Sequence, residues 1–415
     1  MNILVLDGNE NQAVAAVRAL AAAGHTVSVG ADAPWSKAGW SRACSRAFAY
    51  PAPEHDAAAF VASIAEAAGG QSGTLVLPMT ERTTLPLSAA RDTIRAAGGR
   101  LVLPSHDTVL RTFDKQETTR LAQALGVDVP LTMSIGSAAD LRACETALRY
   151  PLVLKPRSSQ EIVGGAVRTT GGPMYARDPA ELRRAWADLS TRCASALAQE
   201  FVEGVGTGYF ALMREGELRA EFAHRRIRDV RPTGSGSAVR VSIAPPPRVR
   251  EAALAILEAL GWHGVAMVEF RVRPDGTPTF LEVNGRFWNS LALPVHAGMN
   301  FPALVARLAE EGEVPPTTSY RAGVRCRWLL GDARHLVEVL RGAPRSFPGA
   351  YPSRASTLAA VLRPVAGTYH DNFALRDPLP EIGDWLHFIV RQLPRRTTRT
   401  RAARAWHATG RPSHP

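Results

Sequence analysis

The stretch Val265–Ser290 reads VAMVEFRVRPDGTPTFLEVNGRFWNS, and the fold can be worked out from it. Its two apolar, β-rich runs, Val265–Val272 and Pro278–Val283, are typical of strands. Residues 274–276 (PDG) separate them and form a turn signal, because proline presets φ and glycine accepts a positive φ. The sequence therefore predicts a β-hairpin here.

The hairpin carries one carboxylate on each strand, Glu269 and Glu282. Asn284 follows Glu282 by two residues, so both side chains share one face of an extended strand. Two carboxylates and an amide oxygen suit Mg²⁺, with Mn²⁺ as the alternative ion. Arg286 would place a cation beside them, where it can orient an anionic substrate or stabilise developing charge. The other interpretation is a solvated surface hairpin, but Glu269 lies in an apolar run, where a carboxylate needs a partner.

Length and composition limit the number of domains and the class of protein. The chain has 415 residues, which predicts two or three domains, and its apolar content is ordinary for a globular protein. No apolar run approaches the roughly 18 residues that span a membrane. Four scattered cysteines and the absence of a basic leader predict a cytoplasmic protein with reduced thiols.

The formal charge of +11 is concentrated at the end of the chain. Residues 391–415 are arginine-rich, and we expect a basic, disordered tail that could contact anionic surfaces. Binding of nucleic acid through this tail is an alternative hypothesis, but no recognisable nucleic-acid module accompanies it. We therefore expect no specific nucleic-acid partner.

The first part of the chain alternates strand and helix patterns. Residues 2–6 and Thr26–Val29 predict strands around a helix at Asn11–Ala23, which indicates an open parallel α/β domain over residues 1–108. The first turn has one glycine where a nicotinamide dinucleotide fingerprint needs three, so that cofactor is excluded. Glu81 follows a buried strand at a helix start, where such sheets bind ligands. Leu101–Leu103 predicts a further strand.

Two lysines stand where phosphates could bind. A helix predicted at Asp107–Leu125 contains Lys115, and the short strand at residues 151–156 ends near Lys155. A polar loop, residues 157–165 (RSSQEIVGG), follows. A lysine supplies a point charge and such a loop supplies backbone N–H groups for phosphate oxygens.

A second group of cations lies further along, at His224, Arg226 and Arg240, next to the Gly/Ser-rich residues 231–237. A solvated face is the alternative, but the neighbouring turn favours a role towards an anionic substrate.

With these segments in order, the sequence resembles the ATP-grasp superfamily over about residues 1–315. The resemblance is to carboxylate–amine ligases, related to D-aspartate ligase-like and D-alanine–D-alanine ligase-like enzymes. Five segments carry it: FDKQET around Lys115, PLVLKP around Lys155, QEFVEG at residues 199–204, MVEF around Glu269, and FLEVNGR ending at Arg286.

The resemblance implies an α/β fold with an α+β central part, and it implies roles for individual residues. The metal would be held by Glu269, Glu282 and Asn284, while Arg286 and Lys155 would be catalytic. Glu81, His224, Arg226 and Arg240 would face the substrates. ATP would be bound by Lys115, Lys155, Ser158, Ser159, Gly164, Gly165, Glu200, Phe201, Val202 and Glu203.

The resemblance also implies an activity and a domain order. ATP would convert a carboxylate into an acyl phosphate, which a small-molecule amine attacks; a nucleotide-binding regulatory or scaffolding protein is the alternative. An ATP-grasp domain would span residues 109–315, with subdomains 109–195 and 196–315, followed by an α/β extension at residues 316–390. A homodimer is left open.

Overall fold

The computed structural model describes residues 1–70 and 73–392, in which the strands form four sheets. The first sheet is parallel and five-stranded. Its strands are β1 (Asn2–Val5), β2 (Thr26–Ala31), β3 (Arg46–Ala49), β4 (Thr74–Leu77) and β5 (Gly99–Arg100), in the order β3-β2-β1-β4-β5. The flanking helices are α1 (Asn11–Ala22), α2 (Ala57–Gly69), α3 (Glu81–Ala89) and α4 (Arg91–Ala96). The parallel pairing confirms the predicted open α/β domain.

One predicted strand in this part is wrong. Leu101–Leu103 has no regular structure, and the strand lies two residues earlier, at β5. The Arg91 guanidinium donates a hydrogen bond to the carbonyl oxygen of Leu103 at 2.9 Å. In a strand this carbonyl would accept a hydrogen bond from the neighbouring strand, and here the side chain takes that place.

The predicted helix Asp107–Leu125 is two helices, α5 (His106–Phe113) and α6 (Lys115–Ala124). Asp114 breaks the helix with an extended backbone, and its carboxylate accepts hydrogen bonds from the N–H groups of Gln116 and Glu117. Such a cap satisfies the free N–H groups of a helix start. As a result, Lys115 lies in the first turn of α6 rather than in the middle of a helix.

The second sheet has the order β10-β7-β11-β6 and packs against helices on one side. Its strands are β6 (Thr132–Ile135), β7 (Leu152–Pro156), β10 (Met174–Ala176) and β11 (Ala196–Glu200), with helices α7 (Ala138–Ala147) and α8 (Pro179–Leu189).

The predicted polar loop after β7 is instead largely a hairpin, β8 (Gln160–Val163) and β9 (Ala166–Thr169). Gly164 and Gly165 form its turn, both at positive φ, which explains two glycines in a row. The hairpin is bonded to the first domain: Ala57 N donates to Gly165 O at 2.9 Å, and Val167 N to Pro53 O at 2.8 Å.

A seven-stranded sheet with the order β16-β15-β12-β13-β14-β17-β18 forms the centre of the molecule. Its strands are β12 (Val205–Arg214), β13 (Glu217–Arg231), β14 (Ser235–Ile243), β15 (Gly264–Val272), β16 (Pro278–Asn284), β17 (Arg325–Arg327) and β18 (Thr368–His370). The remaining helices are α9 (Pro247–Ala259), α10 (Ala292–Ala297), α11 (Phe301–Glu311), α12 (Leu329–Arg341), α13 (Arg354–Leu362) and α14 (Leu379–Gln392).

Alternate residues of the long strands build two cores. Phe210, Phe222 and Met267 pack towards α1 and the first sheet, whereas Tyr209 and Val268 pack against α9. Strands β17 and β18 come from the predicted extension, residues 316–390, so this segment completes the central sheet. Residues 391 and 392 end α14, and the rest of the predicted tail, residues 393–415, lies outside the described residues.

None of the helices in the described part of the chain is both long and apolar enough to cross a membrane. The four cysteines, all within the described residues, are free.

Arg240 joins the last strands to the sheet. Its side chain is fully buried on β14 and forms an ion pair with Asp371, which is also fully buried and follows β18. A second hydrogen bond runs from its guanidinium to Ser237 O at 3.0 Å. Arg240 therefore pairs with residues of the protein itself. The prediction that it faces a substrate is wrong.

Replacing Asp371 with Ala should lower the free energy of unfolding by about 3–5 kcal/mol, because the Arg240 charge would remain buried without its carboxylate. Urea unfolding followed by circular dichroism measures this. The control is Asp92→Ala, whose carboxylate is 95% exposed and which should change stability by no more than about 0.5 kcal/mol. Equal stability of the two variants would contradict a structural role for the pair.

Candidate active site

The two hairpin carboxylates lie directly opposite each other. Glu269 on β15 pairs with Glu282 on β16, and a bulge shifts the register between Glu269 and Phe270 so that Leu281 is the extra residue. Without the bulge, Leu281 would stand opposite Glu269 and Glu282 would point to the other face of the sheet. The bulge therefore brings the two acids together.

Three cations from three other elements surround this pair. Arg226 on β13 reaches across β12 and bonds Glu269 at 2.8 Å between Nη2 and Oε2. Lys115, at the start of α6, places Nζ 3.9 Å from Glu282 Oε2. Lys155, near the end of β7, lies close enough to act electrostatically on both acids.

Strand β12 makes room for Arg226 because it carries Gly206 at the crossing point. A Cβ at that position would lie 2.8 Å from Cδ of Arg226, closer than real Cβ atoms approach. A side chain there would displace the arginine from Glu269.

Burial and neighbouring charges shift the pKa values of these groups in opposite directions. Burial raises the pKa of Glu269, although Arg226 partly offsets it. Burial also acts to raise the pKa of Glu282, but Lys115 and Lys155 outweigh it and the pKa is lowered. Burial lowers the pKa of Lys155 to about 8, against the opposing effect of Glu282. The site is thus a balanced set of desolvated charges.

Asn284 and Arg286 extend the site towards the first domain. Asn284 Nδ2 donates to Glu282 Oε1 at 3.2 Å, and Arg286 Nη2 donates to Asn284 Oδ1 at 2.7 Å. The same guanidinium lies 3.7 Å from Glu81 Oε1. The amide oxygen of Asn284 faces the arginine, so the amide must turn to offer oxygen to a metal between the acids.

Glu81 is positioned by a network around Asp7. The buried Asp7 carboxylate accepts hydrogen bonds from Met79 N at 3.1 Å, from Thr80 Oγ1 at 3.0 Å and from Thr83 Oγ1 at 2.6 Å. These bonds fix the turn between β4 and α3. Glu81 is the first residue of α3 and so points from the carboxyl edge of the parallel sheet towards Arg286.

A cavity of about 310 Å³ opens beside the carboxylate pair. Nine of the predicted site residues line it: Lys115, Lys155, Ser159, Glu200, Phe201, Val202, Arg226, Glu269 and Glu282. Lys115 Nζ also donates to Ser159 Oγ at 2.8 Å, which connects α6 with the segment leading to the β8–β9 hairpin.

The structure places the other predicted residues differently. Asn284, Arg286 and Glu81 adjoin the cavity through the contacts given above. Ser158 accepts a hydrogen bond from Thr170 Oγ1 at its carbonyl oxygen. The other six predicted residues do not line this cavity: Ser158, Gly164, Gly165, Glu203, His224 and Arg240.

His224 is buried on the same face as Glu269, since both stand opposite Gly208 of β12. Burial, with Arg226 and Arg240 nearby, holds the pKa of this imidazole well below its usual range, so the ring is neutral. Its Nε2 has no hydrogen-bond partner among the described residues.

Sequence reasoning missed one wall of the cavity. Tyr175 of β10 lines it and contacts Phe201 edge to face, and Phe347 packs against both rings. Arg271 also lines it and donates to Gly204 O at 3.1 Å. Its position two residues after Glu269 on one strand was the available signal for Arg271. No local pattern indicated Phe347, which lies far along the chain.

Among the described residues, no group of three or more His, Cys, Asp or Glu side chains could hold a metal ion. Two carboxylates, with an amide from Asn284 if it turns, still fit Mg²⁺. This ion commonly takes one or two carboxylates and fills its other positions with water and substrate phosphates.

Known proteins resemble this chain in sequence and in fold. Residues 211–331 match the family model described as "ATP-grasp in the biosynthetic pathway with Ter operon". The D-alanine–D-alanine ligase of Nitrosospira multiformis is 28% identical over 216 residues, which are 47% of this chain and 65% of that protein. The chain thus matches less than two thirds of this relative's length.

Solved structures share the fold. The L-amino acid ligase from Bacillus licheniformis has a TM-score of 0.58 at 19% identity, covering 76% of this chain and 78% of that one. The N5-carboxyaminoimidazole ribonucleotide synthetase from Thermus thermophilus has a TM-score of 0.58 at 20% identity, covering 78% and 82%. The fold is therefore that of the ATP-grasp class. The family model matches the part of the chain that contains β13 to β17, and this match confirms the resemblance to ATP-grasp proteins inferred from the sequence.

The titration of Lys155 should appear in nucleotide binding. Raising the pH through about 8 removes the ammonium charge, so a non-hydrolysable ATP analogue should bind roughly tenfold more weakly at pH 9 than at pH 7. Isothermal titration calorimetry measures both affinities.

Two variants serve as controls. Lys155→Arg keeps its charge and should show little change between the two pH values, while Lys155→Met should bind weakly at both. An equal loss at pH 9 in the wild type and in Lys155→Met would remove Lys155 from the nucleotide site.

Proposed function

We propose that the protein is an ATP-dependent ligase that activates a carboxylate as an acyl phosphate and joins it to an amine, with release of ADP and phosphate. The observation that carries this is the meeting of two lysines from separate elements, Lys115 and Lys155, with a pair of carboxylates at the end of one cavity. Cations and acids in such an arrangement suit phosphoryl transfer, in which catalysis consists mainly of positioning and electrostatic stabilisation.

Two chemically different groups of residues line the cavity. Tyr175 and Phe201, whose rings are in contact, together with Val202, suit a planar base. Lys115, Lys155 and the two acids, which interact with one another, suit phosphates. ATP would therefore lie with its base near the end of β11 and its terminal phosphate beside Glu269 and Glu282.

The metal would be held by Glu269 and Glu282, with Asn284 if its amide turns. When bound, Mg²⁺ would neutralise phosphate charge and orient the terminal phosphoryl group. The role of the chain is to keep both acids ionised and fixed, and Arg226 does so for Glu269 by a direct ion pair.

The chemistry then proceeds in two displacements. A substrate carboxylate oxygen attacks the terminal phosphorus of ATP, and ADP leaves. The carboxylate oxygen, a poor leaving group by itself, can then leave as part of inorganic phosphate. The amine nitrogen next attacks the acyl carbon, loses a proton, and inorganic phosphate departs. Lys155 and Lys115 would stabilise charge on the transferring group, because buried cations act strongly where water is excluded.

Arg286 lies between the phosphate end and the first domain, so we assign it to the substrate carboxylate. A guanidinium can hold a carboxylate through two parallel hydrogen bonds. Glu81, 3.7 Å away, supplies the opposite charge on the same side and suits the amine-bearing substrate.

Replacing Glu282 with Gln should abolish turnover, since an amide loses the negative charge that binds the metal and pairs with Lys115. The measurement is ADP release on addition of mixed carboxylic acids and amines, followed by mass spectrometry of the product. Glu310→Gln, at an exposed position on α11, is the control and should keep full activity. Normal turnover by Glu282→Gln would refute the assignment. Binding of ATP by the wild type without any release of ADP would favour a regulatory nucleotide-binding protein.

Replacing Arg286 with Lys should lower turnover by roughly two orders of magnitude, as for loss of one preorganised donor. Lysine keeps the charge but cannot form two parallel bonds to a carboxylate. ATP affinity and the melting temperature should change little. If the melting temperature falls while the folded enzyme works nearly normally, Arg286 only supports Asn284 and the hairpin.

A further inference from the structure

Helix α14 is oriented with its two acidic residues inward and most of its large apolar residues outward. Glu381 and Asp384 are buried against the protein. The exposed side chains recur every three or four residues along one face: Leu379, Ile382, Trp385, Leu386, Ile389 and Val390, which we call the α14 stripe. A helix that packs on a globular protein normally shows the reverse pattern.

A buried ion pair fixes this orientation. Asp384 Oδ1 lies 2.7 Å from Lys37 Nζ, and both side chains are almost fully buried. The other oxygen of Asp384 accepts hydrogen bonds from Trp328 Nε1 at 2.5 Å and from Asn372 Nδ2 at 3.0 Å. Turning the stripe inward would break these bonds and leave the Lys37 charge buried without a carboxylate beside it, so the stripe stays outward.

The chain that follows the stripe is strongly basic. No aspartate or glutamate occurs after Asp384, and seven arginines fall between Arg391 and Arg411. Most of these arginines lie outside the described residues. An exposed apolar helix face is thus joined directly to a polybasic segment.

We propose that the α14 stripe and the arginines after it dock the protein on an anionic lipid surface. At 14 residues the helix is too short to span a bilayer, but it has the length and the one-sided apolar face of a helix that lies in the interface. Trp385 suits the headgroup region. Stable attachment to membranes generally needs two signals, and an apolar face together with a polybasic segment supplies both.

Two other occupants fit less well. The chain beyond residue 392 has only two large apolar residues, Leu393 and Trp406, so it offers little to cover six apolar side chains. A second copy of the protein would bring two arginine-rich segments of the same sign to one interface, which is unfavourable. An anionic surface is complementary to both features at once.

The experiment is co-sedimentation of the full-length protein with vesicles of phosphatidylcholine alone or with added phosphatidylglycerol. We expect binding only to the anionic vesicles, weakening as salt screens the charges. The double variant Ile382→Ser, Ile389→Ser should lower the partition coefficient by about tenfold or more, because it removes apolar surface that the lipid would bury. Arg395→Gln, Arg396→Gln, Arg399→Gln should weaken binding in the same direction.

The matched control is Leu110→Ser, at a side chain of similar exposure on α5, which should bind vesicles like the wild type. Absence of binding to anionic vesicles at low salt would overturn the proposal. Binding that the stripe variant leaves unchanged would also overturn it, since charge alone would then explain attachment. A dimer in light scattering that the stripe variant abolishes, without vesicle binding, would identify a second copy as the occupant instead.

Discussion

The mutual repulsion of Glu269 and Glu282 is the constraint around which the central part of the molecule is built. Two carboxylates that face each other on adjacent strands destabilise the hairpin unless cations lie close by. Here the cations come from β13, β7 and the start of α6, so each belongs to a different part of the chain. The hairpin, the second sheet and helix α6 must therefore all be in place before the charges balance.

This balance also fits the proposed binding of phosphates and a divalent ion. The acids differ in environment: two lysines lower the pKa of Glu282, whereas Glu269 forms a direct ion pair with one arginine. The phosphates of ATP would bring negative charge to the two lysines, and Mg²⁺ would bring positive charge to the two glutamates. All four side chains are already held in position. Fixed charges of this kind need little reorganisation when charge moves during a reaction.

Local patterns in the sequence were enough to predict the hairpin, the parallel first domain and the lysine near the end of β7, because each depends on residues close in the chain. The β-bulge at Leu281 could not be predicted, since a one-residue shift in register depends on how both strands fit the sheet. The pairing of Arg240 with Asp371, 131 residues apart, was equally hidden and removes that arginine from the predicted substrate site. Residue roles inferred from the resemblance are still predictions, although the structure brings most of them to one cavity.

The order of strands in the central sheet has a consequence for how the protein is made. Strand β14 forms one side of the sheet, but its outer neighbours β17 and β18 are encoded more than eighty residues later. Ribosomes add about 5–20 residues per second, so a growing chain would present the unpaired edge of β14 for several seconds. During that interval Arg240 also lacks Asp371. The nascent chain is therefore most prone to edge-to-edge association at this stage, and chaperones that cover exposed strands would act on it there.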